Sequence, residues 1–70
     1  MSEAFKKAPT KRLIKKYTEQ SIVTEDALDL FIDALDDYAR ILAKEAYSIS
    51  RHAGRKTIQK KDIEYALDAY

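Results

Sequence analysis

Apolar residues recur at alternating steps of three and four through the middle of the chain, the spacing that places side chains on one face of an α-helix. This stripe consists of Leu28, Phe31, Leu35, Tyr38, Leu42, Ala46, Ile49 and Ala53. Further apolar residues flank it, at Ala27, Leu30, Ala34 and Ile41 on one side and at Ile32, Ala39, Ala43 and Tyr47 on the other. The pattern predicts a helix whose apolar surface wraps most of its circumference.

Breaking and capping residues set the bounds of this helix. Pro9 and Gly54 are the only strong breakers, and no alternating β-branched run predicts a strand. Thr24 is a candidate N-cap residue, and two acidic residues follow it in the first turn, where the helix dipole favours them. We expect the helix to run from there to about His52, which is roughly 27 residues or about 40 Å.

Two short helices are predicted, one on each side of the long one. The first begins near Pro9 or Thr10 and runs to about Glu19, and the other spans about Gln59 to Ala69. Their apolar faces would consist of Leu13, Ile14 and Tyr17, and of Ile63, Ala66, Leu67 and Tyr70. The sequence therefore predicts an all-α protein, with residues 1–7 as a flexible basic N-terminal tail and residues 8–70 as the folded domain.

Length and composition indicate that this domain needs a partner chain. The chain has 70 residues, no cysteine and one histidine, so we expect neither a disulfide nor a metal site, and no cofactor. A chain this short rarely builds a sufficient core by itself. Each short helix reaches about 15 Å along a rod of about 40 Å, so a second polypeptide is expected to cover the rest.

The charge is divided along the chain although the net charge is only +1. Residues 1–23 carry six basic groups against two acidic ones, residues 24–50 carry seven acidic groups against two basic ones, and residues 51–70 carry five basic groups against three acidic ones. Positive charge therefore lies towards both ends and negative charge in the middle. No apolar run approaches the roughly 20 residues that span a bilayer, and the N-terminal segment lacks the apolar core of a signal peptide, so we expect a soluble, cytoplasmic protein without a membrane partner.

The segment from Arg51 to Ile58, RHAGRKTI, followed by Asp62-Ile63-Glu64, resembles the second loop and third helix of an archaeal-type histone. The likeness extends over about residues 8 to 69, including the helix lengths and loop positions. It implies the histone fold and a head-to-tail handshake dimer, in which two long helices cross and bury their excess apolar surface against each other. The core of that dimer would be formed by Phe31, Leu35, Tyr38, Leu42 and Ala46.

The resemblance also implies roles for charged residues. Arg55 and Asp62 match a structural salt bridge between the second loop and the third helix. Lys56 and Thr57 match loop positions that contact DNA phosphates, the alternative being a solvated basic loop. Arg12 and Lys15 match first-helix positions that face the DNA backbone. Lys11 and Lys16 lie close to them in sequence and would add unspecific attraction, the alternative being a solvated face of the helix.

A second interface is implied between dimers. It would join them through a four-helix bundle formed around Ile49, His52, Asp62 and Tyr65. A hydrogen bond from His52 to Asp62 of the neighbouring dimer would make this association depend on pH near neutrality. The alternative is a capping or exposed histidine at the end of the long helix, and the geometry of any tetramer or filament stays open.

The chain departs from the family pattern at several positions. Ile22 stands where a first-loop arginine usually enters the minor groove, and Tyr17-Thr18 occupies a region that often contains glycine. The C-terminus is not basic, and one flank of the long helix is acidic, with Asp29, Asp33, Asp36 and Asp37. Fewer neutralised phosphates mean weaker attraction to DNA.

These features favour two functions and no catalysis. No phosphate-binding glycine loop, cysteine nucleophile or shared carboxylate pair is present, so we expect no enzyme activity and no small-molecule substrate. The first function is a chromatin-organising histone that binds double-stranded DNA non-specifically as a homodimer, tetramer or larger assembly on the chromosome (the nucleoid). The alternative is a heterodimerisation subunit of a transcription or centromere-type complex, with weak or no DNA contact.

Overall fold

The computed structural model describes residues 4–69. Three α-helices follow one another, α1 (Lys7–Tyr17), α2 (Glu25–His52) and α3 (Lys60–Asp68), and no strand occurs among the described residues. The predicted all-α order of short, long and short helices is confirmed. Residues 1–3 of the predicted tail lie outside the described residues, as does Tyr70, which was assigned to the apolar face of the third helix.

Helix α1 begins two residues before Pro9. Proline is tolerated there because the N–H groups of the first helical turn have no partner within the helix. The turn is held by Thr10, whose hydroxyl donates to the carbonyl of Lys6 at 2.7 Å and whose N–H donates to the same oxygen at 3.3 Å. Thr10 is buried, so this polar bond forms part of the packed side of α1.

Helix α1 ends at Tyr17, earlier than the predicted end at Glu19. Glu19 and Gln20 have φ angles of 55° and 65°, in the left-handed region that side-chain-bearing residues adopt at a cost in strain. The N–H of Gln20 donates to the carbonyl of Lys15 at 2.9 Å, which is the long bond of a Schellman C-cap. The chain therefore turns sharply out of α1 without a glycine.

Helix α2 has 28 residues and begins directly after Thr24, the expected N-cap. The Thr24 hydroxyl accepts a bond of 3.4 Å from the N–H of Ala27 and donates at 2.6 Å to Asp26 Oδ1. Asp26 Oδ1 also accepts from the N–H of Ala27 at 3.0 Å. The bond from Thr24, together with that from Ala27, lowers the pKa of Asp26, so a charged carboxylate caps the positive end of the helix.

The chain divides into two compact units whose boundary lies between Asp37 and Tyr38, inside α2. Among residues 4–69, few side chains are buried in either unit. Those of the first unit are Thr10, Leu28 and Ile32, and those of the second are Ala46, Ser50, Asp62 and Ala66. Since only two of these are large apolar residues, the chain by itself encloses little of the surface that stabilises a domain.

Burial differs from the predicted faces at several positions. Ile32, assigned to a flank of the stripe on α2, is fully buried, whereas the stripe members Phe31 and Tyr38 are exposed. On α1, Ile14 is half-buried but Leu13 and Tyr17 are exposed. Periodicity finds the apolar sector of a helix, but the position of its neighbour decides which part of a broad sector is covered.

Candidate nucleic-acid interface

The second loop begins with a tight exit from α2. Gly54 has a φ of +74°, its N–H donates to the carbonyl of Arg51 at 2.9 Å, and the N–H of Arg55 donates to the carbonyl of Ser50 at 3.0 Å. These are the two bonds of a Schellman motif, in which glycine adopts the left-handed conformation without strain from a Cβ. The chain therefore turns at a fixed point, and the basic residues that follow have a defined start.

Arg55 and Asp62 are brought together across the loop. Arg55 Nη2 lies 2.7 Å from Asp62 Oδ1, and Nη1 lies 2.9 Å from Oδ2. The backbone N–H of Gln59 donates to Oδ2 at 2.7 Å. The hydrogen bond from Arg55 and that from Gln59 lower the pKa of Asp62 to about 2. The pair ties the loop to the first turn of α3, where a carboxylate also suits the helix dipole.

Lys56 and Thr57 lie between the two ends of this ion pair, and both are exposed. Arg55 Nη1 also donates to the carbonyl of Thr57 at 3.0 Å, so the same guanidinium holds the backbone at the predicted DNA-contact residues. A lysine ammonium and a threonine hydroxyl presented on a fixed loop have the chemistry to bind a phosphate.

The predicted cationic residues of α1 divide between two environments. Arg12 and Lys16 are exposed, whereas Lys11 and Lys15 are half-buried. Lys16 Nζ lies 5.6 Å from the centroid of the Tyr17 ring. The sequence pattern assigns all four mainly to faces other than the apolar one. The structure instead places Lys11 and Lys15 beside the packed side of α1, where long aliphatic stems can lie along apolar surface.

Lys7 has a role that the sequence analysis did not identify. Its Nζ lies 3.3 Å from Glu25 Oε2 and 3.5 Å from Asp29 Oδ1, and the hydrogen bond to Glu25 raises the pKa of Lys7. The charge contrast between the first segment and the early part of α2 was the signal available in the sequence. Lys7 is therefore engaged by acidic residues within the chain and is not part of the free cationic surface.

The first loop presents an apolar residue where the family pattern has arginine. Ile22 is 94% exposed, and the turn before it is held by a bond of 2.7 Å from the Ser21 hydroxyl to the carbonyl of Thr18. An isoleucine supplies no cation and no hydrogen-bond donor. This side chain consequently adds nothing to the attraction of phosphates.

The predicted dimer-core residues differ in exposure along α2. Phe31 and Tyr38 are exposed, Leu35 and Leu42 are half-buried, and Ala46 is fully buried. Leu30 and Ile41 on the flank are also exposed. Each unit therefore leaves apolar side chains of its own part of α2 exposed.

The predicted residues between dimers differ in accessibility. Tyr65 is 63% exposed, Ile49 is half-buried, and His52 is exposed with Nδ1 2.9 Å from the carbonyl of Ser48. The Asp62 side chain is only 1% exposed, and both its oxygens already accept bonds within the chain. Tyr65 and His52 are open to a neighbour, whereas a contact from His52 to Asp62 of another dimer would have to reach an enclosed carboxylate.

Among residues 4–69, no group of three or more histidine, aspartate or glutamate side chains is arranged to hold a metal ion. Within the same range, none of the helices combines the length and apolar character needed to cross a membrane.

The sequence was compared with those of known proteins and protein families. A sequence model described as histone-like transcription factor (CBF/NF-Y) and archaeal histone matches residues 4–67. The chain is 40% identical over 62 residues to one of the subunits of archaeal histone HAN1 from Thermococcus zilligii, covering 89% of this chain and 91% of that relative. It is 37% identical over 60 residues to probable archaeal histone 3 of Methanocaldococcus jannaschii, covering 86% and 88%.

A more distant relative is a longer protein, of which this chain matches only a part. The chain is 27% identical over 62 residues to DNA polymerase epsilon subunit 4 of Homo sapiens, covering 89% of this chain but only 53% of that relative. Here the matching region is about half of a longer protein that its name describes as one subunit of a polymerase.

Proposed function

Since this chain belongs to the family of archaeal histones and histone-like transcription factors (CBF/NF-Y), we propose that it is a DNA-binding, chromatin-organising histone. It acts as a homodimer that binds duplex DNA with little sequence preference. Its partners are the DNA and further copies of itself, and its place in the cell is the chromosome.

The second loop carries this proposal. Lys56 and Thr57 are exposed on a segment that the ion pair of Arg55 and Asp62 holds at both ends. Contacts of this kind go to phosphates, which position a protein on the duplex but carry no sequence information. The exposed cations Arg12 and Lys16 of α1 extend the same chemistry, so we assign non-specific binding.

Pairing through α2 is the step that makes the protein stable. The exposed apolar face with Phe31 and Tyr38 is too broad for a free surface of a chain this small. A second copy, crossing head to tail, covers it with an identical face. The two chains then share one core, and dimerisation and folding are coupled.

The proposal also includes association between dimers. Tyr65, His52 and Ile49 form the contact between dimers, with Tyr65 as its accessible apolar residue. Joined dimers compact, bend or bridge DNA, because each dimer contacts the duplex at its own position and the contact between dimers links those positions.

One specific observation favours a second candidate function. The first loop carries the exposed Ile22 instead of a cation, and the net charge is only +1, so this chain attracts phosphates less than a strongly basic histone. In that case the apolar face of α2 serves a different histone-fold chain, and the pair belongs to a larger complex. The similarity to a component of a polymerase is in keeping with this use of the fold.

Fluorescence anisotropy with random-sequence duplex DNA across a salt series, combined with the mass of the purified chain in solution, separates the two functions. The histone proposal expects a homodimer that binds at low salt and loses affinity steeply as salt rises. Arg12→Ala with Lys56→Ala should weaken binding uniformly across DNA sequences and make the salt dependence shallower.

Lys44→Ala is the matched control, since it removes one exposed cation of α2. This cation belongs neither to the predicted DNA-contact residues of α1 nor to those of the second loop. It should leave the salt dependence closer to that of the unsubstituted protein than the double variant does. A chain that is unfolded or aggregated by itself and binds no DNA would support the heterodimeric role instead.

A further inference from the structure

The second loop contains a cavity of about 160 Å³ lined by Arg51, Gly54, Arg55 and Lys56. Since one water occupies roughly 30 Å³ in the liquid, a group with several oxygen atoms fits. Three of the lining residues are cationic and none is acidic. This combination selects an anion over a neutral or cationic ligand.

The unbalanced positive charge of the cavity comes from Arg51 and Lys56. The guanidinium of Arg55 is neutralised by Asp62, to which it donates two hydrogen bonds. Neither Arg51 nor Lys56 forms an ion pair with an acidic residue in the part of the chain that the structure describes. The residues one turn before Arg51 on α2 are Tyr47 and Ser48, so helical spacing also brings no carboxylate to it.

Arg51 is held in place by an aromatic ring. Its guanidinium carbon lies 5.7 Å from the centroid of the Tyr47 ring, within the range of cation–π attraction. A guanidinium above a ring keeps the N–H donors of its edge available for a bidentate contact with phosphate. The ring therefore restricts the Arg51 side chain before a ligand binds, so that less conformational freedom is lost on binding. Tyr47 itself remains half exposed.

The negative end of the α2 dipole does not cancel this charge. Carbonyl groups at a helix C-terminus disfavour an anion, but here the carbonyls of Ser50 and Arg51 accept hydrogen bonds from the N–H groups of Arg55 and Gly54, at 3.0 and 2.9 Å. Those oxygens are therefore already occupied by donors from the loop.

We propose that Arg51, positioned by Tyr47, binds a phosphate group in this cavity together with Lys56. The inference rests on the proposed function for the source of that phosphate, which is the backbone of duplex DNA. Arg51 then adds one phosphate contact per chain to those of Lys56 and Thr57, and Tyr47 is a positioning residue.

The DNA experiment measures the slope of log affinity against log salt for the full chain. Each phosphate that is no longer neutralised lowers the slope by about 0.9, or about 2 per dimer, and this is the upper limit here because Lys56 shares the phosphate with Arg51. Arg51→Gln should lower the slope within this limit, whereas Lys44→Gln, which removes an exposed cation elsewhere on α2, should lower it less. Arg51→Lys should keep most of the slope but bind more weakly, since an ammonium lacks the planar fork. Equal slopes for Arg51→Gln and the unsubstituted chain would overturn the proposal.

Tyr47 tests the positioning role separately. Tyr47→Phe keeps the ring and should bind DNA like the unsubstituted chain, whereas Tyr47→Leu should weaken binding severalfold with unchanged dimer mass and unfolding midpoint. A purely structural role for Tyr47 would instead move the unfolding midpoint in step with the affinity. Parallel changes of that kind would overturn the positioning role.

Titration with inorganic phosphate, followed by NMR of the Arg51 Nε–H and the Gly54 amide, distinguishes a free anion from DNA. Saturable shifts that Arg51→Gln abolishes support the cavity as an anion site even if the chain binds no DNA, the result in which the proposed function fails. A chain that binds neither DNA nor phosphate overturns both proposals. A slope loss in Arg51→Gln without phosphate binding supports the contact with polymeric DNA.

Discussion

Arg55 and Asp62 form a two-bond ion pair that joins the second loop to α3, with Nη2 2.7 Å from Oδ1 and Nη1 2.9 Å from Oδ2. The Asp62 side chain is enclosed, so donors of the chain replace water around its charge. The same guanidinium donates to the carbonyl of Thr57. The position of the second loop therefore depends on one carboxylate remaining ionised.

The first prediction concerns the loss of folding stability in acid. The pKa of Asp62 in the folded chain is about 2, below the ordinary value of about 3.9 for an unfolded aspartate. Its contribution to stability is therefore complete above about pH 4 and is lost as the pH falls towards about 2. Asp62→Asn should be less stable at pH 7 and should lose less stability than the unsubstituted chain between pH 4 and 2. Urea unfolding at a series of pH values measures both.

Asp68→Asn is the control for this measurement, because Asp68 is an exposed aspartate on the same helix. It should leave the acid profile close to that of the unsubstituted protein. Parallel loss of stability in the Asp62→Asn variant and the unsubstituted chain would contradict the linkage to Asp62.

The second prediction compares the C-caps of α1 and α2. Gly54 has a positive φ of 74° with no atom within 4 Å of an added Cβ, so Gly54→Ala introduces backbone strain without a steric clash. It should lower the free energy of unfolding by about 1 to 2 kcal/mol per chain. Glu19 occupies the corresponding position after α1 with a φ of 55°, and Glu19→Gly should stabilise by up to about 1 kcal/mol.

Chemical denaturation at one fixed protein concentration measures both variants, because the proposed dimerisation makes stability depend on concentration. Ile22→Gly, three residues after Glu19, controls for added backbone freedom in the first loop, because the Ile22 side chain is almost fully exposed. Stabilisation by Ile22→Gly equal to that by Glu19→Gly would show that relief of the left-handed strain is not the cause.

The third prediction concerns pairing. If α2 is covered by a second copy, the unfolding midpoint should rise with protein concentration. Tyr38→Ala removes an exposed ring from the proposed dimer core and should weaken the dimer by about tenfold or more, since burying such a side chain contributes about 1.5 to 3 kcal/mol. Sedimentation equilibrium gives the dissociation constants directly.

Tyr65→Ala is the matched substitution on α3. It should leave the dimer intact and reduce only association between dimers. A monodisperse monomer whose melting does not depend on concentration would refute pairing, and equal loss of dimer from both tyrosine variants would refute the separation of the two interfaces.

The fourth prediction concerns the first loop. Ile22 is almost fully exposed, so replacing it removes no packing within the chain. Ile22→Arg should increase DNA affinity and steepen the salt dependence by up to about 2 per dimer, one contact from each chain. Ile22→Gln, polar but uncharged, should have little effect on the slope. An equal gain from both variants would mean that polarity, and not a phosphate contact, is responsible.

Local sequence features determined most of the architecture. Thr24 marks the start of α2 because an N-cap side chain bonds to the helix it precedes, and Gly54 marks its end because glycine adopts the left-handed exit without strain. The predicted start of α1 near Pro9 or Thr10 was too late, because the helix begins at Lys7 and Pro9 is compatible with a position inside the first turn. The loop motif around Arg55 and Asp62 was likewise enough to indicate the family.

Tertiary structure decided what each side chain faces. The sequence could show that α2 is apolar over most of its circumference, but not that Ile32 would be enclosed and Tyr38 left open, because that depends on where other helices lie. It could not show that acidic residues of α2 engage Lys7, or that Arg51 and Lys56 share a cavity. Hydrogen bonds within a helix and its caps are local in sequence, whereas burial and charge pairing between elements arise only from packing.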